Sequence, residues 1–195
     1  MIASEIISNH LKPLNYTDTG EMALLAMHEL NVNQMPVVNN GVYVGIISLE
    51  EITLLKHLND PLLEIHTSLK RPYVQESSHL FDVMKAALEY NVRIVPVLTD
   101  SDDVYAGVIS AESCLKAFSE LNSIVDEGGI IELTVPLKDF SLTEIVRIIE
   151  SNGVYPLACY TNIDQMNAKV NVTMKTNSNE LSVINSTSNQ HNNQI

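Results

Sequence analysis

The sequence predicts an α+β protein in which two tandem copies of a helix–strand–strand–helix unit precede an incomplete ferredoxin-like unit. Three observations carry this reading. The stretch Asn31 to Ser48 is written again as Asn91 to Ser110, with its extra residues falling in the central turn, where insertion costs least. Apolar residues at helical spacing precede each copy. After Gly128-Gly129 the pattern changes to strand, helix, strand, strand and helix, most of a β-α-β-β-α-β unit.

Residues 1–16 form a lead-in whose Ile2, Ile6 and Ile7 are expected to pack on the repeats, and Pro13 ends any helix there. Asp18-x-x-Glu21 has the form of a capping box, and Met22, Leu25, Ala26 and Leu30 mark the expected buried face of the first helix. The run N-V-N-Q-M-P-V-V, the turn Asn39-Asn40-Gly41 and the run Y-V-G-I-I-S read as a hairpin. A helix is expected from Glu50 to Leu58. The connector 56–72 is punctuated by Pro61 and Pro72, and its leucines predict that it packs on the repeats.

In the second copy Ser78 is the expected cap of a helix burying Phe81, Met84, Ala87 and Leu88. The hairpin N-V-R-I-V-P-V-L, Thr99 to Asp103 and Y-A-G-V-I-S leads into a helix from Ala111 to Leu121. Pro36 and Pro96 are expected to begin their strands, where the missing amide hydrogen does least harm.

In the C-terminal part Ile130 to Val135 reads as a strand. Ser141 and Glu144 form a capping box for a helix facing inward with Leu142, Ile145, Ile148 and Ile149, which Asn152-Gly153 ends. Strands follow from Val154 to Tyr160 and from Ala168 to Lys175, then a short helix from Glu180 to Ile184. The expected domains are 1–122 (repeats at about 10–58 and 73–121), 128–187 without its last strand, and a disordered polar tail at 188–195.

The chain has 195 residues, 45% of them hydrophobic, enough to bury a core. Eleven basic against 24 acidic residues give a formal charge of −13, which argues against nucleic acid and against an anionic membrane surface as partners. The start, M-I-A-S-E-I-I-S-N-H, lacks the apolar core of a secretory signal, and no apolar stretch approaches the length of a membrane helix, so the expected location is cytoplasmic. Cys114 and Cys159 do not indicate a disulfide framework. The six histidines show no zinc-binding spacing. Asp100, Asp102 and Asp103 lack the glycine and glutamate of a calcium loop, and the phosphate-loop, dinucleotide and nucleophile-elbow strings are absent. No metal site, no required cofactor and no enzyme activity are expected.

The strings Val32 to Val38 with Gly45 to Ser48, and Val92 to Leu98 with Gly107 to Ser110, resemble the CBS domain, and two in tandem resemble a CBS pair. The resemblance implies a pseudo-twofold disc with two clefts, which in many relatives hold adenosine compounds such as AMP, ATP or S-adenosylmethionine. The strings Gly128 to Ile131 and Ser141 to Asn152 resemble an ACT domain. The whole chain is similar to CBS–ACT regulatory proteins of the acetoin-utilisation type in Bacteroidetes. The segment Pro136 to Phe140 lacks the glycine that amino-acid-binding ACT domains commonly carry, so a pairing surface is expected there instead of a ligand site.

The family's nucleotide signature, G-x-[IV]-[ST]-x-x-D, implies candidate binding residues. The first copy has Ser48 and, in place of Asp, Glu51; the second has Ser110 and, in place of Asp, Ser113. Ser48 and Ser110 equally suit plain helix capping. Thr17, Asn33, Gln34 and Met35 match the opposite wall of the first site, and Ser77, Arg93 and Ile94 that of the second. Lys70-Arg71 adds a cationic candidate on the connector. Two readings follow: a regulatory module sensing an adenosyl ligand, or a non-sensing module for dimerisation and protein interaction. Both imply a homodimer, because apolar helix faces and an open sheet edge need cover, and both leave the protein partner unknown.

Overall fold

The computed structural model describes residues 1–8 and 10–179, in two compact units divided after Phe118. In the first unit one repeat comprises β1 (Leu14–Asn15), α1 (Gly20–Glu29), β2 (Gln34–Asn39), β3 (Val42–Ser48) and α2 (Leu49–Ile52). The other comprises β4 (Val74–Gln75), α3 (Leu80–Tyr90), β5 (Ile94–Leu98), β6 (Tyr105–Ser110) and α4 (Ala111–Leu121). Each repeat has a three-stranded sheet, β1-β2-β3 or β4-β5-β6, with a parallel first pair and an antiparallel hairpin.

The registers match. Val37 pairs Gly45 as Val97 pairs Gly107, Pro36 pairs Ile46 as Pro96 pairs Val108, and each hairpin carries a bulge at the next position. The prolines stand third in their strands instead of first. The parallel neighbour begins its pairing only at Val37 or Val97, so no partner there requires the proline's missing amide hydrogen.

The helices bury a face rotated from the expected one, with Ala26, Met84 and Ala87 of the expected face packed at its edge. Gly20, Ala23 and Met27 are buried on α1, while Met22, Leu25 and Leu30 are exposed; Leu80, Val83 and Ala86 are buried on α3, while Phe81 and Leu88 are exposed. Both helices carry two apolar stripes, and the one with smaller side chains allows the closer approach to the sheet. The N-caps also shift by a residue. Thr19 Oγ1 accepts from the Met22 amide and His79 Nδ1 from the Phe81 amide, while Asp18 and Ser78 cap the preceding turns through the Asn15 and Gln75 amides. The helix expected to reach Leu58 stops at Ile52, because the carbonyls of Leu58 and Asp60 turn back to accept from the Glu21 and Gly20 amides at the start of α1.

The two repeats complete each other's cores. The connector forms a 3-10 helix, Leu62–Ser68, whose Leu62 and Ile65 are buried with Ala23, Met27 and Ile47 of the first repeat. The lead-in crosses to the second repeat: Ala3 is fully buried among Leu80, Val83 and Ile109, with Ile6 and Ile7 packed alongside. Ile2, by contrast, is exposed.

The second unit contains β7 (Ile130–Pro136), α5 (Leu142–Ser151), β8 (Pro156–Asp164) and β9 (Lys169–Thr176) in an antiparallel sheet ordered β7-β9-β8. Insertion of β9 between the strands joined by α5 is the order of the first three strands of a ferredoxin-like unit. Ile149 of α5 packs on Ile131, Val170, Val172 and Met174. The β8 strand starts two residues later than expected, because the amides of Val154 and Tyr155 are taken by the Ile149 carbonyl and Asn177 Oδ1. Gly128 has φ +146°, and a Cβ there would lie 1.8 Å from the Thr176 carbonyl oxygen. The helix expected from Glu180 to Ile184 and the tail at 188–195 lie outside the described residues. Among those described, no helix is long and apolar enough to cross a membrane.

Candidate functional site

Two clefts of the first unit are related by the repeat. The first, about 470 Å³, takes Ser48 to Glu51 and Asn33-Gln34 from the first repeat and Asn91-Val92 from the second. The second, about 1140 Å³, takes Ser110 to Glu112 and Arg93-Ile94 from the second repeat and Asn31-Val32 from the first, then runs along α1 past Leu24 and His28. The Arg93 amide donates to Gln34 Oε1 at 3.0 Å, tying the two walls together.

Local chemistry fixes the motif residues. In the first cleft Ser48 is the N-cap of α2: its amide donates to Glu51 Oε2 at 2.6 Å, and its Oγ accepts from the Glu51 amide at 3.4 Å. This capping box uses one carboxylate oxygen of Glu51 and orients the group at the cleft. In the second cleft Ser110 Oγ accepts from the Ser113 amide at 3.0 Å and lies 3.0 Å from Ser113 Oγ, so two hydroxyls stand where the first cleft has a hydroxyl and a carboxylate.

The sequence-derived candidates divide by position. Asn33, Ser48 and Glu51 line the first cleft; Arg93, Ile94 and Ser110 line the second, which Asn33 also reaches. Ser113 is held behind Ser110. Thr17 and Ser77 are exposed and line neither cleft, and Ser77 Oγ donates to Asp100 Oδ1 at 2.9 Å. Met35 is 2% exposed, because strand alternation sends Gln34 to the cleft and Met35 into the core.

The connector's two cations part company. Lys70 lines the first cleft, whereas the Arg71 guanidinium lies 5.9 Å from the Tyr43 ring and 5.7 Å from the Tyr73 ring. Sequence reasoning did not place Asn31-Val32 and Asn91-Val92 in the opposite clefts. Their signal was the repeated asparagine after each helix: Asn31 and Asn91 adopt φ of 52° and 51°, the left-handed turn that asparagine tolerates.

Two repeats that exchange core segments around two related clefts define a tandem-repeat module of the CBS-pair class. The chain belongs to the CBS domain family, which it matches over residues 3–56 and 64–120. No curated protein matches it. Its fold is similar to that of a CBS domain pair/ACT domain protein from Thermotoga maritima, with 20% identity over 62% of this chain and 98% of that one and a TM-score of 0.56. CBSX2, whose structure is in complex with AMP, aligns with 18% identity over 61% of this chain and 96% of its own at a TM-score of 0.53. The CBS domains of a transcriptional regulator from Streptococcus pneumoniae align with 17% identity over 60% and 98% at 0.52. At these identities the likeness is one of fold.

Proposed function

We propose that this protein is a non-catalytic regulatory module that binds an adenine nucleotide or a related adenosyl metabolite between its CBS repeats, with the first cleft as the better site. The observation that carries the reading is the Ser48–Glu51 pair in the lining of that cleft. One carboxylate oxygen is anchored by the Ser48 amide, which leaves the group oriented to accept from vicinal ribose hydroxyls. A volume of about 470 Å³ is in the range of small-molecule sites. Glu51 and Ser48 are in this reading the ribose-side residues, with Asn33 beside them, its carbonyl accepting from the Leu49 amide. Arg93, Ile94, Ser110 and Ser113 are the weaker second set. Thr17, Met35 and Ser77, implied by the resemblance, fit less well with their positions.

The second unit is proposed to be an ACT-like pairing domain that relays ligand occupancy to a protein partner, with the chain acting as a homodimer. The test is thermal unfolding with AMP, ATP and S-adenosylmethionine, because a ligand that binds only the folded state raises Tm. A rise with at least one of them is expected, and no rise with any overturns the sensing reading.

The alternative, a non-sensing module for dimerisation or protein interaction, is favoured by the apolar side chains left exposed on the helices, among them Met22, Leu25, Phe81, Leu88 and Leu115.

A further inference from the structure

Equivalent rungs of the two repeats carry different chemistry. The Ile46 amide donates to the Lys70 carbonyl at 2.9 Å, and its counterpart, the Val108 amide, donates to the Ser8 carbonyl at 3.3 Å. Both contacts are antiparallel bridges between the second hairpin strand and the segment leading into the other repeat. Lys70 and Ser8 are therefore equivalent positions, as are Glu51 and Ser113. Lys70 and Glu51 line the first cleft, whereas their counterparts Ser8 and Ser113 are uncharged and stand outside the lining of the second.

The lysine's backbone is closely held. A Cβ at Gly45 would lie 2.9 Å from the Lys70 carbonyl oxygen and 2.8 Å from Leu69 Cβ, so only glycine lets this segment lie against β3. From that fixed point the Lys70 side chain lines a cleft whose other charged groups are Glu50 and Glu51. One ammonium in a lining that also carries two carboxylates can neutralise one anionic group, and it leaves any further negative charge unpaired.

We infer that Lys70 is the anion-binding and selectivity-determining residue of the first cleft, which takes a nucleoside monophosphate and rejects the triphosphate. This rests on the nucleotide reading of the cleft and adds to it the class of ligand and the residue that selects it. Glu51 holds the sugar end, and Lys70 meets the single phosphate.

The test is calorimetry on the full chain with adenosine, AMP and ATP, using the natural protein, Lys70→Ala and Lys70→Glu. AMP is expected to bind about tenfold more tightly than adenosine and than ATP, the size of one charge-assisted contact. Lys70→Ala is expected to bring AMP down to the affinity of adenosine and to leave adenosine unchanged. Lys70→Glu is expected to drive AMP below adenosine while still binding adenosine, which also reports that the variant is folded. If AMP affinity survives in Lys70→Ala, or if ATP binds as tightly as AMP, the lysine's role is overturned while the nucleotide reading stands. If none of the three ligands binds the natural protein, both are overturned.

Discussion

The Tyr43 hydroxyl donates to the carbonyl oxygen of Pro72 across 2.8 Å, fastening the first hairpin to the segment that enters the second repeat. Its counterpart is the Tyr105 hydroxyl, which donates to the Leu11 carbonyl at 3.4 Å, at the entry to the first repeat. Repeat symmetry thus extends from the strands to side-chain contacts that lock each repeat to its neighbour's lead-in. The two locks are unequal, because Tyr43 is buried and Tyr105 only partly so.

Tyr43→Phe is accordingly expected to lower stability by about 1–2 kcal/mol, since it leaves a buried carbonyl without its donor, and Tyr105→Phe by less. Urea unfolding of the two variants measures this. Burial pushes both phenols above the ordinary tyrosine value of 10.0, and the Arg71 charge opposes this only in part at Tyr43. A raised value in the folded state means that the native protein keeps protons the unfolded chain releases. Stability is then full below about pH 10 and falls as pH rises beyond it, and Tyr43→Phe should flatten that fall.

Exchange of core segments makes the repeats interdependent. Removing residues 1–8 takes Ala3, Ile6 and Ile7 from the cluster built around the second repeat, which Tyr43 and Ile46 of β3 also join. Hydrogen exchange is expected to show lost protection in α3 and β6 before α1 and β2, which pack in the other cluster. Faster exchange confined to the first repeat would contradict the crossed arrangement.

The close approach of the chain to β9 at the entry to the C-terminal sheet depends on Gly128, where a Cβ would meet the Thr176 carbonyl oxygen at 1.8 Å. Gly128→Ala is expected to destabilise the second unit by about 2 kcal/mol or more, through both the φ and the contact. A separate, lowered thermal transition would report it.

Much of this architecture was legible because it was written twice. The Pro36 and Pro96 strings, the Gly45 and Gly107 positions and the asparagines Asn31 and Asn91 form matched pairs, and a paired signal is hard to produce by chance. The face choice of α1 and α3 was not legible, since Leu25 and Ala23 both sit in apolar stripes and only the sheet's proximity selects the smaller residue. The cleft was half legible. Ser48 and Glu51 lie within one local motif, whereas Lys70 and Asn91 reach the same cleft through long-range packing. Met35 was misleading for a simple reason: its neighbour in a strand faces the opposite way.

The face not chosen for the core has a consequence of its own. Leu88 is 80% exposed on α3 and Leu25 59% on α1, an unusual cost for a chain that works alone. A homodimer is expected at micromolar concentration. Leu25→Glu and Leu88→Glu should shift it toward monomer while changing the unfolding free energy of the monomer by less than about 0.5 kcal/mol. Light scattering that finds a monomer throughout would remove the dimer from the proposal.

Glu51 serves a helix cap and, in the proposed function, a ligand, and the two roles separate by substitution. Glu51→Ala removes both the acceptor for the Ser48 amide and any ribose contact, so it should lower stability by about 1 kcal/mol and ligand affinity by about ten- to a hundredfold. Glu51→Gln keeps a neutral acceptor for the cap but loses the charge, so its stability should stay near that of the natural protein while affinity falls. In the second cleft Ser113→Asp replaces a single hydroxyl with a carboxylate and should strengthen binding there. Calorimetry beside thermal unfolding reads all three variants. If Glu51→Gln binds as well as the natural protein, Glu51 is a cap only. If Ser113→Ala abolishes binding that Glu51→Ala leaves intact, the second cleft is the ligand site.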